Sequence, residues 1–129
     1  MNKPDSYMPM YWLDFWPAVE GYEDYIAIGY LRLLSHYWHI THCSGLKHDI
    51  PFLQRLSRIL DENKWDIAEP ILFDGINFFE LDHETGTWHQ KRALAEWQSK
   101  VASYNSVIAR AKAGGQATKR KYKNAQAYT

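Results

Sequence analysis

The stretch from Glu23 to Cys43, EDYIAIGYLRLLSHYWHITHC, decides how the rest of the chain is read. Ala27, Tyr30, Leu31, Leu34 and Trp38 recur at i, i+3, i+4, i+7 and i+11, the spacing of one apolar helical face. Tyr25, Gly29, Arg32, His36, His39 and Cys43 fall on the opposite side. A helix of about twenty residues is roughly 30 Å long, the width of a small domain. The remaining elements must cover its apolar face.

Working outward, residues 7–22 (YMPMYWLDFWPAVEGY) concentrate Tyr7, Tyr11, Trp12, Phe15 and Trp16, with Pro9 and Pro17 in the same segment. Two prolines in so short a segment argue against a regular helix and predict an extended aromatic strap against the first helix. Gly29 would admit such a strap, or another helix, at close approach. Base stacking is the other use of exposed aromatics, but Asp14, Glu20, Glu23 and Asp24 would repel phosphate, so the strap reads as core.

Downstream, Gly45 can stop the first helix, and Leu46 can form a strand of one or two residues. Asp49 is a suitable N-cap with Pro51 in the first turn. Phe52, Leu53, Leu56, Ile59 and Leu60 give a second amphipathic helix. Asp61-Glu62-Asn63 interrupts it, with Asn63 positioned to cap a third helix through Trp65, Ile67, Ala68, Ile71 and Leu72. Pro70 should end or kink that helix near Glu69. The period then changes: residues 76–81 and 87–89 are strand-like, joined by Asp82-His83-Glu84-Thr85-Gly86. Helix, short strand, helix, helix, hairpin is the order of a winged-helix domain, a helix-turn-helix with a β-hairpin wing. The fold class is thus mainly α (α+β).

From Gln90 a long C-terminal helix is expected. Leu94, Trp97, Val101, Tyr104, Ile108 and Ala111 mark a heptad-like seam of fewer than three heptads. It either docks back on the domain or joins two copies in a homodimer. Gly114-Gly115 should end it. The organisation expected is a body over residues 1–90 with its N-terminal strap, a C-terminal helix over 91–113 and a basic flexible tail over 114–129.

The chain has 129 residues, 46% hydrophobic and 16% aromatic, enough to build a core and to exclude disorder throughout. No apolar run reaches the ~18 residues of a membrane span, the N-terminus lacks signal-peptide anatomy, and one cysteine excludes an internal disulfide framework. A soluble cytoplasmic protein is expected. The zero net charge conceals a division. Residues 1–90 hold six Lys/Arg and fourteen Asp/Glu, while residues 91–129 hold nine Lys/Arg and only Glu96. A basic end of this kind suits nucleic acid or an acidic partner. The alternative is mutual neutralisation within one molecule or a dimer.

No P-loop, G-x-G-x-x-G, G-x-S-x-G or H-E-x-x-H string occurs, and no carboxylate pair has an arguable burial. Cys43 and His42 are helical neighbours about 100° apart, a poor nucleophile–base pair. Neither an enzyme nor a cofactor is expected. His36, His39 and Cys43, with His48 as a fourth, would suit zinc by residue type. Their spacing matches no common zinc motif, so a metal is not expected. His83 and His89 fall on the wing and read as solvent-facing.

Several residues together resemble the YdaU-like proteins of phages and prophages, a domain family of unknown function associated with replication initiation or helicase loading. The resemblance is carried by Tyr7-Met8-Pro9-Met10-Tyr11 with Asp14 and Phe15, Gly29-Tyr30-Leu31-Arg32-Leu33-Leu34 with Trp38, and Trp65 and Pro70. It continues in Phe78-Phe79-Glu80, Gly86-Thr87-Trp88, Lys91-Arg92 and the basic stretch from Ala113 to Lys121. It implies a winged-helix fold and a DNA-transaction context, without implying an activity. Family members often carry Arg or Lys beside the tryptophan of the third helix. This chain has Asp66 and Glu69 there, near Asp61, Glu62 and Asp74, a surface that phosphate would avoid. DNA contact is therefore expected from Lys91, Arg92, Arg110, Lys112, Lys119, Arg120, Lys121 and Lys123. Asp61, Glu62, Asp66 and Glu69 would instead meet a basic protein partner such as a replisome component.

Overall fold

In a computed structural model of the chain, the backbone is described for residues 12–127 and the side chains for residues 15–115. Among the described residues, five helices and three short strands follow one another as α1 (Trp12–Val19), α2 (Asp24–His39), β1 (Leu46–Lys47), α3 (Ile50–Ser57), α4 (Glu62–Leu72), β2 (Glu80–Asp82), β3 (Thr87–His89) and α5 (Lys91–Ala127). The protein is mainly helical with a small antiparallel sheet. The chain divides into a body that ends at Trp97 and a second unit from Gln98 onward.

In the body, α2 is the central helix. It buries Ile26, Ala27, Gly29, Tyr30, Leu33, Leu34, Tyr37 and Trp38, a wider apolar stripe than the five residues expected from spacing. Leu33 and Tyr37 are fully enclosed because neighbours cover α2 from more than one side. The helix ends at His39, four residues earlier than expected, and Thr41–Cys43 form a turn in which His42 and Cys43 have positive φ. The Ile40 and Thr41 amides donate to the His36 carbonyl, and the Cys43 amide to that of Tyr37, closing the C-terminus. Cys43, expected on the exposed side of a longer helix, is consequently turned into the core.

The strap differs from expectation. Residues 12–19 are helical with Pro17 inside, and Phe15 and Val19 are buried while Trp16 is 58% exposed. Phe15 stacks on Tyr30 with ring centroids 6.2 Å apart. Tyr7 to Tyr11 lie outside the described residues. Gly29 does receive a close neighbour, but it is Ile59 from the α3–α4 link: a Cβ at Gly29 would stand 2.7 Å from Ile59 Cδ1.

Asp49 caps α3 as the sequence predicts, its carboxylate accepting from the Phe52 amide. That helix stops at Ser57, where Arg58 adopts a left-handed conformation, leaving Ile59 buried and Leu60 61% exposed. The cap of α4 is Asp61 rather than Asn63, its carboxylate accepting from the Lys64 amide at 3.0 Å. Pro70 lies inside α4, which continues to Leu72. At residue 70 the missing amide costs one bond, and the buried Trp65, Ala68 and Leu72 keep the last turn in place.

Residues 76–78 form a loop instead of the start of the hairpin. Asp74 organises it by accepting from the Ile76 and Asn77 amides. Burial acts to raise its carboxyl pKa, but these backbone donors outweigh that and hold it below the ordinary value. The loop delivers Phe78 and Phe79 to the core, where both meet Tyr30 edge-on.

The sheet order is β1-β3-β2, so the last strand of the hairpin lies in the middle. Trp88 faces Leu46 on one side and Leu81 on the other. Its ring meets Phe73 at 5.0 Å, and its indole N–H donates to His48 Nδ1 at 2.9 Å. Gly45, at φ +125°, leads into β1, and a Cβ there would meet Thr87 Cβ at 2.5 Å. Only glycine satisfies both the backbone angle and the contact.

Two substitutions test this junction. Trp88→Ala should cost ~3–5 kcal/mol, the range for deleting a buried aromatic side chain. Gly45→Ala should also lower the urea midpoint, through strain and collision with β3. An unchanged midpoint for both variants would show that the hairpin is not anchored through Trp88 and the Gly45 turn.

Candidate functional site

The charge division seen in the sequence becomes a division of surfaces. On α4, Glu62 and Asp66 are exposed, and Glu69 is half-buried. Asp61 is occupied as the cap of α4, and Glu62 Oε1 accepts from Gln54 Nε2 at 3.3 Å. Lys64, the one cation of the helix, lies over the Tyr25 ring at 5.3 Å from its centroid. Ile67 is 56% exposed among these carboxylates. An exposed face of this kind has carboxylates where phosphate contact would need cations.

The hairpin is no more basic. Its turn carries Asp82, His83, Glu84 and Thr85, and the Asp82 carboxyl is held below its ordinary value by the Glu84 backbone amide. His83 is exposed, as expected of the wing. His89 is not: it is half-buried, with Nδ1 2.8 Å from the Tyr37 hydroxyl and Nε2 2.9 Å from Thr87 Oγ1. The alternation that turns Trp88 to one face leaves His89 on the other, where α2 supplies Tyr37.

Of the cations expected to contact DNA, Lys91 pairs with Glu80 at 3.1 Å, an exposed ion pair of small energetic weight. Arg92 and Lys112 are exposed. Arg110 Nη2 donates to Ser106 Oγ at 3.5 Å, one helical turn back. Lys119, Arg120, Lys121 and Lys123 have their backbone in α5, while their side chains lie outside the described residues. Gly114 and Gly115 do not end the helix, which continues to Ala127. The cations of the predicted C-terminal helix and of the predicted tail therefore stand on one helical segment. From the seam, Leu94 and Trp97 belong to the body, and Trp97 meets Trp38 edge-on at 5.0 Å. Tyr104 and Val107 further along α5 are exposed.

The histidine–cysteine set does not converge. Cys43 is buried, its thiol directed to the Ala93 carbonyl at 3.8 Å. Burial pushes that thiol up to about 12, so it stays protonated at neutral pH. His48 Nδ1 is taken by Trp88, and His42 stacks on Trp97 at 5.1 Å. Among the described residues no group of three or more His, Cys, Asp or Glu could hold a metal ion. His36 and His39 instead line an open groove with Arg32, Ser35, Ile40 and Leu56. Sequence reasoning had grouped Arg32, His36 and His39 on one face of α2. It missed Ser35 and the groove, because the helix–turn boundary that removes Cys43 is not encoded in periodicity.

Comparison of the chain with protein-family models, with curated proteins and with solved structures finds no match in any of the three. Among the described residues no helix is long and apolar enough to cross a membrane.

The position of Cys43 predicts its reactivity. At mildly alkaline pH, Ellman's reagent should modify the native protein at least about a hundredfold more slowly than the urea-unfolded chain. Burial pushes the folded thiol up to about 12 from its ordinary value of 9.0, so the thiolate is scarce in the native state. Equal rates in the two states would place the thiol at the surface.

Proposed function

We propose that this chain is a winged-helix protein that binds DNA through its basic C-terminal segment. Its setting would be a phage or prophage replication step, initiation or helicase loading, in the cytoplasm. The winged-helix reading is supported by the order of α2, β1, α3, α4 and the hairpin, with β3 central in the sheet. The resemblance to the YdaU-like family supplies the replication context. The observation that carries DNA binding is the charge of α5: nine Lys/Arg and one acid over its length. Positions 112, 119 and 123 follow at steps of seven and four, close to two turns and one turn of helix. Contact by phosphate neutralisation is tolerant of sequence and sensitive to salt.

α4 occupies the place of a recognition helix in this architecture, and its carboxylates suit a different partner. Exposed Ile67 and Leu60 beside Glu62 and Asp66 favour a second role, the docking of a basic protein segment such as one from a replisome component. In that reading the body is an adaptor and α5 supplies the hold on DNA.

Salt dependence separates the two surfaces. Lys112, Lys119, Arg120, Lys121 and Lys123 are five cations, each worth about −0.9 in the slope of log K against log salt. Full-length protein should therefore show a slope of roughly −4 to −5 on duplex DNA. Deleting residues 112–129 should remove most of it and leave the urea midpoint of the body unchanged. Asp66→Lys with Glu69→Lys should strengthen binding. If the truncated protein kept its affinity and slope while the reversals abolished binding, α4 would be the DNA-contacting helix and the proposal would fail.

A further inference from the structure

The groove on α2 is built from side chains one turn apart. Arg32, Ser35, His36 and His39 rise along the helix at steps of three, one and three, so that they share a face. Ile40 closes one end, and Leu56 of α3 forms the facing wall. The His36 ring rests edge-on against Phe52 of α3 at 5.8 Å, which fixes its position. The groove is open to solvent, with a volume of about 290 Å³. Every polar group that lines it can donate a hydrogen bond: a guanidinium, a hydroxyl and two imidazoles.

We propose that this groove is an anion site for a phosphoryl group, with Arg32 as the fixed charge and Ser35, His36 and His39 as the remaining donors. The chemistry shared by a free phosphate ester and by a nucleic-acid backbone phosphate fits it equally. The groove lies wholly within the body, so the proposal stands apart from the role given to α5.

Among the described residues no carboxylate lines the groove. On α3 the one charged side chain, Arg55, is itself a cation. In the following turn, His42 is stacked on Trp97. The negative end of the α2 dipole lies nearby, with the His36 and Tyr37 carbonyls already engaged. Ile40 and Thr41 amides donate to His36 O, and the Cys43 amide and the Thr41 hydroxyl donate to Tyr37 O. Burial lowers the pKa of His36, so its ring is mostly neutral at neutral pH and gains a proton as an anion arrives. Binding is thus coupled to proton uptake and tightens as pH falls.

The test is an NMR titration of the histidine side chains in the full-length protein with inorganic phosphate, at ionic strength held constant with chloride. The His36 and His39 resonances should shift, and the His36 titration midpoint should rise. His83, on the exposed hairpin turn, serves as the internal control and should stay in place. Arg32→Ala should weaken phosphate binding about tenfold or more, the loss of one charge-assisted hydrogen bond. His39→Gln should weaken it less. Both positions are exposed, so the urea midpoints should not change. A second arm uses an oligonucleotide and its uncharged methylphosphonate analogue. Shifts at His36 and His39 with the phosphodiester alone assign the site to backbone phosphate, and shifts with inorganic phosphate but not the oligonucleotide assign it to free phosphate esters. Equal movement of His36, His39 and His83, or phosphate affinity unchanged in Arg32→Ala, overturns the proposal.

Discussion

Three residues, Thr87 to His89, hold the body together. As the central strand, β3 pairs with β1 on one edge and β2 on the other, and Trp88 sits in the middle of both registers. Its ring braces Phe73 at the end of α4, and its N–H ties His48 in the link before α3. On the opposite face of the strand, His89 and Thr87 connect to Tyr37 of α2. A sheet this short has little stability of its own. It persists because both faces of β3 are engaged by helices. Gly45 matters for the same reason, since the approach of β1 to Thr87 leaves no room for a side chain.

That packing determines which surfaces remain for binding. Aromatic residues fill the interior of the body, with Phe78 and Phe79 both edge-on to Tyr30. The acids of α4 are turned outward because Trp65, Ala68 and Leu72 take the inner face. The cations are concentrated on α5, mostly beyond the segment that packs on the body. The body thus carries an acidic helical face on α4, and the sequence of α5 carries the cations of its half of the chain.

Much of this arrangement was legible. Asp49 announced the start of α3, Trp88 announced the hairpin's attachment, and α2 followed from its periodicity. Departures occurred where local signals competed with packing. Pro17 and Pro70 read as breakers, yet both sit inside helices anchored by buried residues, Phe15 and Val19 in α1 and Trp65, Ala68 and Leu72 in α4. Gly114-Gly115 read as a stop, and the helix passes through at a cost of roughly 1 kcal/mol per glycine relative to alanine. The end of α2 at His39 was hidden because Cys43 continues the spacing of Arg32, His36 and His39 in sequence while the backbone turns. That single difference separates Cys43 from His36 and His39 and changes the groove from a metal candidate to a set of donors.

In the proposed role α5, and not α4, meets nucleic acid. Hydrogen–deuterium exchange of the full-length protein with and without duplex DNA tests it most directly. Slowed exchange confined to α5 beyond Arg110, with the amides from Trp65 to Leu72 unaffected, is the result expected. Protection of Trp65 to Leu72 by DNA, with α5 unchanged, would contradict it.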